Sequence, residues 1–136
     1  MNLDDIIQVW ITKHGHIMGW YKTKSHPQPR QNRYSRFGTS KTAERCKEYN
    51  AWAGAFKDAL TIAMKQKGIE PLGRVSLCSK YKFTKDRIFF EVWENERGTA
   101  NHKSDLSNHL KAVEDVFNKV LWADDCWVDY IDAVRL

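Results

Sequence analysis

The sequence predicts the α/β class: a small mixed sheet with two main helices packed on it. Apolar residues alternate with polar ones in several short stretches, and in two longer stretches they recur every three or four residues. These patterns follow one another as two strands, a helix, two strands, a helix and a last strand, an order that builds one sheet with helices against it. With 136 residues, 42% of them hydrophobic, the chain has material for one core, so residues 1–136 read as a single domain. Six Trp and six Phe exclude an intrinsically disordered chain, because burying such rings offsets the entropy of ordering the backbone.

Ile7, Val9 and Ile11 alternate with Gln8 and Trp10, and a second run from Ile17 to Tyr21 follows a turn over Lys13–His16, so residues 1–21 form an N-terminal hairpin. Residues 22–40 lose this periodicity and hold Pro27, Pro29, Gly38 and five basic side chains, which makes them an irregular basic loop. Loops of that length in small domains are as a rule either functional or disordered. Thr39 and Ser40 are both able to cap the helix that follows, whose apolar stripe is Tyr49, Trp52, Phe56, Leu60, Ala63 and Met64. Gly68 and Pro71 end it. Val75, Leu77, Tyr81 and Phe83 mark a third strand and Ile88, Phe90 and Val92 a fourth, joined across Thr84–Arg87. In the second helix Leu106, Leu110, Val113, Phe117 and Val120 form the buried stripe, and Trp127–Leu136 reads as the closing strand. Trp10, Trp52, Trp93 and Trp122 read as core or dimer-interface side chains, whereas Trp20 and Tyr34, beside basic residues, suit stacking on unpaired bases.

Charge is distributed unevenly along the chain. The net charge is +5, but residues 12–47 hold nine Lys and Arg against the single acid Glu44, while residues 112–136 hold six acids against two bases. A basic half able to hold phosphates and an acidic end able to hold a hard cation are the combination a nuclease needs, and two ordinarily solvated faces are the alternative reading of the same charges. Cys46, Cys78 and Cys126 are odd in number and far apart, which argues against a disulfide framework or a zinc site. No apolar run reaches the length of a membrane span, and Asp4 and Asp5 stand where a signal peptide is basic, so no membrane contact and a cytoplasmic location are expected.

The acidic candidates are Asp105, at the head of the second helix, and Asp124 with Asp125, beyond its end. Mg²⁺ takes oxygen ligands in octahedral geometry and is held by one or two carboxylates together with phosphate and water. Each residue also has an ordinary structural reading. Asp105 suits an N-cap, Lys111 and Asp115 suit a surface i, i+4 pair, and Asp124-Asp125 suits a turn. His14 and His16 flank a turn glycine and read as exposed turn residues.

Asp105-Leu-Ser-Asn-His-Leu-Lys111-Ala-Val-Glu-Asp115, followed by Trp122-Ala-Asp124-Asp125, resembles the RusA family of Holliday-junction resolvases, in which Asp-Leu-Asp-Asn-x-x-Lys-Ala-x-x-Asp precedes Trp-x-Asp-Asp. Pro27-Gln-Pro29-Arg30-Gln-Asn32-Arg33-Tyr34 is similar to that family's proline-rich N-terminal loop. The resemblance implies a homodimer that binds branched DNA, four-way junctions above all, and nicks two strands symmetrically with Mg²⁺ or Mn²⁺. It implies a bacterial cell or phage-infected host as the setting. It further implies Asp105, Lys111 and Asp125 as catalytic residues, and Asp105, Asp124 and Asp125 as metal ligands. Lys22, Lys24, Arg30, Asn32, Arg33, Tyr34, Arg36 and Lys103 are the expected DNA contacts. Ser107 stands where the family has its second acid and offers only a neutral hydroxyl. The alternative it motivates is a cleavage-deficient protein that still binds branched DNA.

Overall fold

The computed structural model describes residues 2–28, 41–73, 76–95 and 105–134. The chain forms two compact units, Met1–Thr99 and Ala100–Leu136.

In the first unit, β1 (Ile7–Ile11) and β2 (Ile17–Lys22) form the N-terminal hairpin, α1 (Lys41–Lys67) follows, and β3 (Leu77–Phe83) and β4 (Arg87–Glu94) form a second hairpin. Both hairpins join one four-stranded sheet in the order β1-β2-β4-β3, and every pairing is antiparallel. β2 and β4 are therefore the interior strands. The register pairs Val9 with Gly19 and Gly19 with Phe90, which lines up the inward-facing positions of three strands.

The apolar alternation seen in the sequence places Ile7 and Val9 under α1, each 1% exposed. They pack with Ala63 and Ile69, and around them lie Ile17, Tyr21, Leu60, Met64 and Phe90. Tyr21 stacks on Phe56 with ring centroids 4.3 Å apart. Gly68 ends α1 with φ +65°, a left-handed conformation that glycine adopts without a Cβ clash, and Ile69 N–H then donates to the Met64 carbonyl. On the β3 side the same sheet face is open: Leu77, Tyr81 and Phe83 are exposed and, with Phe56, Leu60 and Met64, line an apolar groove of about 520 Å³.

The turn of the first hairpin is tied to β4. His16 Nδ1 lies 3.1 Å from Glu91 Oε2, and the His16 ring stacks on Trp93 at 4.9 Å. His16 is thus half-buried and partnered rather than an exposed turn residue, while His14 is exposed. Trp10, expected in the core or a dimer interface, lies outside the core at 38% exposure, because the period of the strand turns it to the side away from α1.

The second unit contains α2 (Leu106–Phe117) and a one-turn 3-10 helix at Asp125–Trp127. The predicted stripe extends to Val120, but the helix stops three residues earlier. Asn118 leaves helical geometry (φ −57°, ψ 126°), Lys119 has φ +65°, and Val120 is 77% exposed in the turn that follows. The closing strand expected over Trp127–Leu136 is not formed in its described part, which runs to residue 134. A strand exists only when its amide and carbonyl groups find a neighbouring edge, and this segment pairs with none among the described residues. The possible caps Thr39 and Ser40, and Val75 of the third strand's pattern, lie outside the described residues.

Candidate active site

Asp105 immediately precedes α2 in extended geometry (φ −74°, ψ 141°), the N-cap position. It caps through its backbone alone: its carbonyl oxygen accepts from Asn108 N–H at 3.1 Å and from His109 N–H at 3.3 Å, while its side chain makes no cap hydrogen bond. The carboxylate is exposed and uncommitted to the helix it heads. The capping role that its position suggests is therefore not what holds this side chain. Asp105→Ala is accordingly expected to reduce stability by only the few tenths of a kcal/mol that a negative charge near a helix N-terminus supplies, ~0.3 kcal/mol. Urea unfolding checks this, and a loss of about 1 kcal/mol or more would show the side chain capping in solution.

Ser107 and Asn108 occupy the exposed first turn of α2, and Lys111 projects from its next turn, also exposed. Asn108, Lys111 and Asp115 share the side of the helix opposite Leu106, Leu110, Val113 and Phe117. Lys111 makes no ion pair with Asp115 among the described residues, so the simple surface pair is not formed and the ammonium is available to an anion.

Asp125 is held in a different way. Trp122 Nε1 donates to Asp125 Oδ1 at 2.6 Å, a short charge-assisted bond that fixes the half-buried carboxylate. The indole is itself set edge-on against Phe117, the last residue of α2, with centroids 5.6 Å apart. The chain from helix end to carboxylate therefore runs through Phe117, Trp122 and Asp125. Asp124 Oδ1 accepts from Cys126 N–H at 3.2 Å and caps the 3-10 turn, as an ordinary turn Asp does. The adjacent acids thus have different duties: Asp124 closes the turn, and Asp125 is aimed by Trp122. The sequence reads Trp122 as a core or interface side chain, and its three-residue spacing from Asp125 is the one local sign of this contact.

Asp105 and Asp125 lie on either side of α2, whose twelve residues span about 18 Å along the axis. Among the described residues no three His, Cys, Asp or Glu side chains form a metal-holding group, so Asp105, Asp124 and Asp125 are not gathered into one. The donor chemistry nevertheless suits Mg²⁺, which needs only one or two protein carboxylates when phosphate and water complete its shell. Asp105 offers an exposed carboxylate, and Asp125 keeps its second oxygen beyond the bond to Trp122.

Of the expected DNA contacts, Lys22 ends β2 and Lys24 follows it, both exposed. The start of the basic loop is pinned to α1, since Trp52 Nε1 donates to Thr23 Oγ1 at 2.9 Å and the His26 ring stacks on Trp52 at 5.1 Å. Arg30, Asn32, Arg33, Tyr34, Arg36 and Lys103 lie outside the described residues. Among the described residues no helix is long and apolar enough to cross a membrane.

The family model described as Endodeoxyribonuclease RusA matches residues 23–136. The match begins just after β2 and includes every acidic candidate, but not the first hairpin. No curated protein and no solved structure matches the chain.

Proposed function

The chain belongs to the RusA family of endodeoxyribonucleases, which resolve Holliday junctions, and on that premise we propose that it nicks four-way or otherwise branched DNA in pairs, as a homodimer, with Mg²⁺ or Mn²⁺. The observation that carries this reading is the exposed Asp105 carboxylate at the head of α2, which the helix does not use. A side chain in the N-cap position that leaves the cap unmade is available for chemistry.

Asp105, Asp124 and Asp125 are the proposed metal ligands, and because α2 separates Asp105 from the turn that carries the other two, the DNA-bound dimer has to bring them together. The bound cation supplies a water of lowered pKa and offsets negative charge on the scissile phosphate. Asp125, fixed by Trp122, presents its oxygen without reorganisation. Lys111 carries a point charge on the same helix and stabilises the additional negative charge that develops on the phosphoryl oxygens during attack. Lys22, Lys24, Arg30, Asn32, Arg33, Tyr34, Arg36 and Lys103 position the backbone of the substrate and do not read its bases. Two copies of the site, one per protomer, account for symmetric nicks.

The rival reading is a protein that binds branched DNA without cutting it. Ser107 favours it, because an exposed neutral hydroxyl in the first turn of α2 replaces a carboxylate and so weakens attraction for a divalent cation. Incubation of a labelled synthetic four-way junction with and without Mg²⁺ or Mn²⁺, beside linear duplex of the same sequence, separates the two. Paired, metal-dependent nicks confined to the junction are the expected result. Tight binding without nicks establishes the rival, and Ser107→Asp is then the substitution expected to restore cutting.

A further inference from the structure

We propose that the face of the sheet turned away from α1 is a stacking platform for single-stranded DNA. Ile7, Val9, Ile17, Tyr21 and Phe90 all pack toward α1. The alternate residues of the same strands therefore share the opposite face. The register sets them in rows across the sheet. One row runs Gln8, Trp20, Phe89, Lys82, and the next runs Trp10, Met18, Glu91, Lys80, about 7 Å along the strands. Lys22 and Arg87 pair at the end of β2.

This face carries aromatic rings in its interior strands and cations around them. Trp20 and Phe89 are cross-strand neighbours, and each has a cation at its ring: the Arg87 guanidinium lies 4.2 Å from the Trp20 centroid, and Lys82 Nζ lies 5.7 Å from that of Phe89. Lys22, Lys80, Lys82 and Arg87 face one acid, Glu91, and that carboxylate is already engaged by His16. A purely apolar partner would leave four cations without counter-charge, and a protein partner would have to supply a matching acidic surface. A nucleic-acid single strand supplies both needs at once, since its bases have ring faces for Trp20, Phe89 and the Arg87 plane, and its phosphates meet the lysines. Duplex DNA keeps its base faces stacked inside and satisfies only the charges. The choice of DNA over RNA rests on the nuclease reading; the stacking face does not.

The strands bearing this face include β1 and β2, which precede the residues matched by the family model. Unpaired strands occur where branched DNA opens, so a platform of this kind would hold one arm's separated strand.

Fluorescence anisotropy with labelled oligothymidylate of about 20 nucleotides, in the presence of EDTA, tests the proposal without involving cleavage. Single strand is expected to bind more tightly than a hairpin duplex of equal charge, with affinity falling steeply with salt. The double substitution Lys80→Glu and Lys82→Glu, at two exposed positions of an edge strand, is expected to weaken binding at least tenfold with an unchanged circular dichroism spectrum. Phe89→Leu keeps an apolar side chain and removes the ring, and a further loss of about fivefold or more is expected if bases stack there. Unaltered binding by both variants, preference for duplex, or no binding overturns the platform. Tighter binding of oligouridylate overturns the assignment to DNA. Junction nicking is measured separately with Mg²⁺, so failure of the platform and failure of the nuclease reading give different results.

Discussion

Asp125→Asn is expected to slow nicking of a four-way junction by about a thousandfold while leaving junction affinity within a few-fold of the parent chain. Asn keeps the size of the side chain and an oxygen that accepts the Trp122 indole N–H, which holds Asp125 at 2.6 Å. What it removes is the negative charge, the property that the proposed role as a metal ligand requires. The loss should therefore appear in single-turnover nicking and not in a gel-shift titration carried out without metal. Trp122→Phe gives the graded counterpart. It retains a ring against Phe117 but has no donor for Asp125, and a loss of about 10- to 100-fold in nicking is expected from freeing the carboxylate. Full activity in Asp125→Asn would remove Asp125 from the site, and loss of folding would show that its bond to Trp122 is structural.

Gly19→Ala is expected to destabilise the chain by about 3 kcal/mol or more. Gly19 sits in the middle of β2, an interior strand, with Val9 on one side and Phe90 on the other. A Cβ at this position would meet the Gln8 carbonyl oxygen at 2.5 Å and the Phe90 ring at 2.6 Å. The Phe90 ring is packed against the core beneath α1 and the Gln8 carbonyl belongs to the adjacent strand, so relief of the first contact requires the β1–β2 ladder itself to move. Urea unfolding checks the expectation. A cost below about 1 kcal/mol would mean that β1 and β2 do not pair in this register. The result also bears on the first hairpin as a whole. It precedes the residues matched by the family model, yet it supplies an interior strand and, among the described residues, the two most buried side chains of the core, Ile7 and Val9. Removing it would not trim an appendage, because the second hairpin would lose its β2 neighbour and α1 would lose most of its floor.

The elements that were legible are those whose signal is local. Alternation over Ile7–Ile11, the three-and-four spacing from Tyr49 to Met64 and the stop at Gly68 each express what a few consecutive residues prefer, and all three appear in the structure. The end of α2 was not legible, since the chain leaves the helix at Asn118 and turns through Lys119 with φ +65°, where neither Gly nor Pro announces a break. The closing strand misled for another reason. Val128, Ile131 and Val134 have strand propensity, but propensity becomes a strand only beside a free edge.

The site divides along the same line. The residue types and spacing of Asp105, Lys111, Asp124 and Asp125 marked the candidate segment by its resemblance to the RusA family, and the family match over residues 23–136 agrees with that resemblance. Spacing does not tell two neighbouring acids apart. The structure does, through the hydrogen bonds each accepts: Asp124 caps a turn, Asp125 is held by an indole, and Asp105 caps with its backbone while its carboxylate stays exposed. Pairings between distant residues were decided only in three dimensions. His16 and Glu91 are 75 residues apart, and Trp20 and Phe89 become neighbours only because β2 pairs with β4. The sequence by itself thus determined the local elements, the charge asymmetry and the acidic motif, all of which depend on short-range preference and composition. The tertiary structure decided which side of each strand meets α1, which rings meet which cations and which acid is held by a neighbour, because those depend on register and on contacts that no local preference specifies.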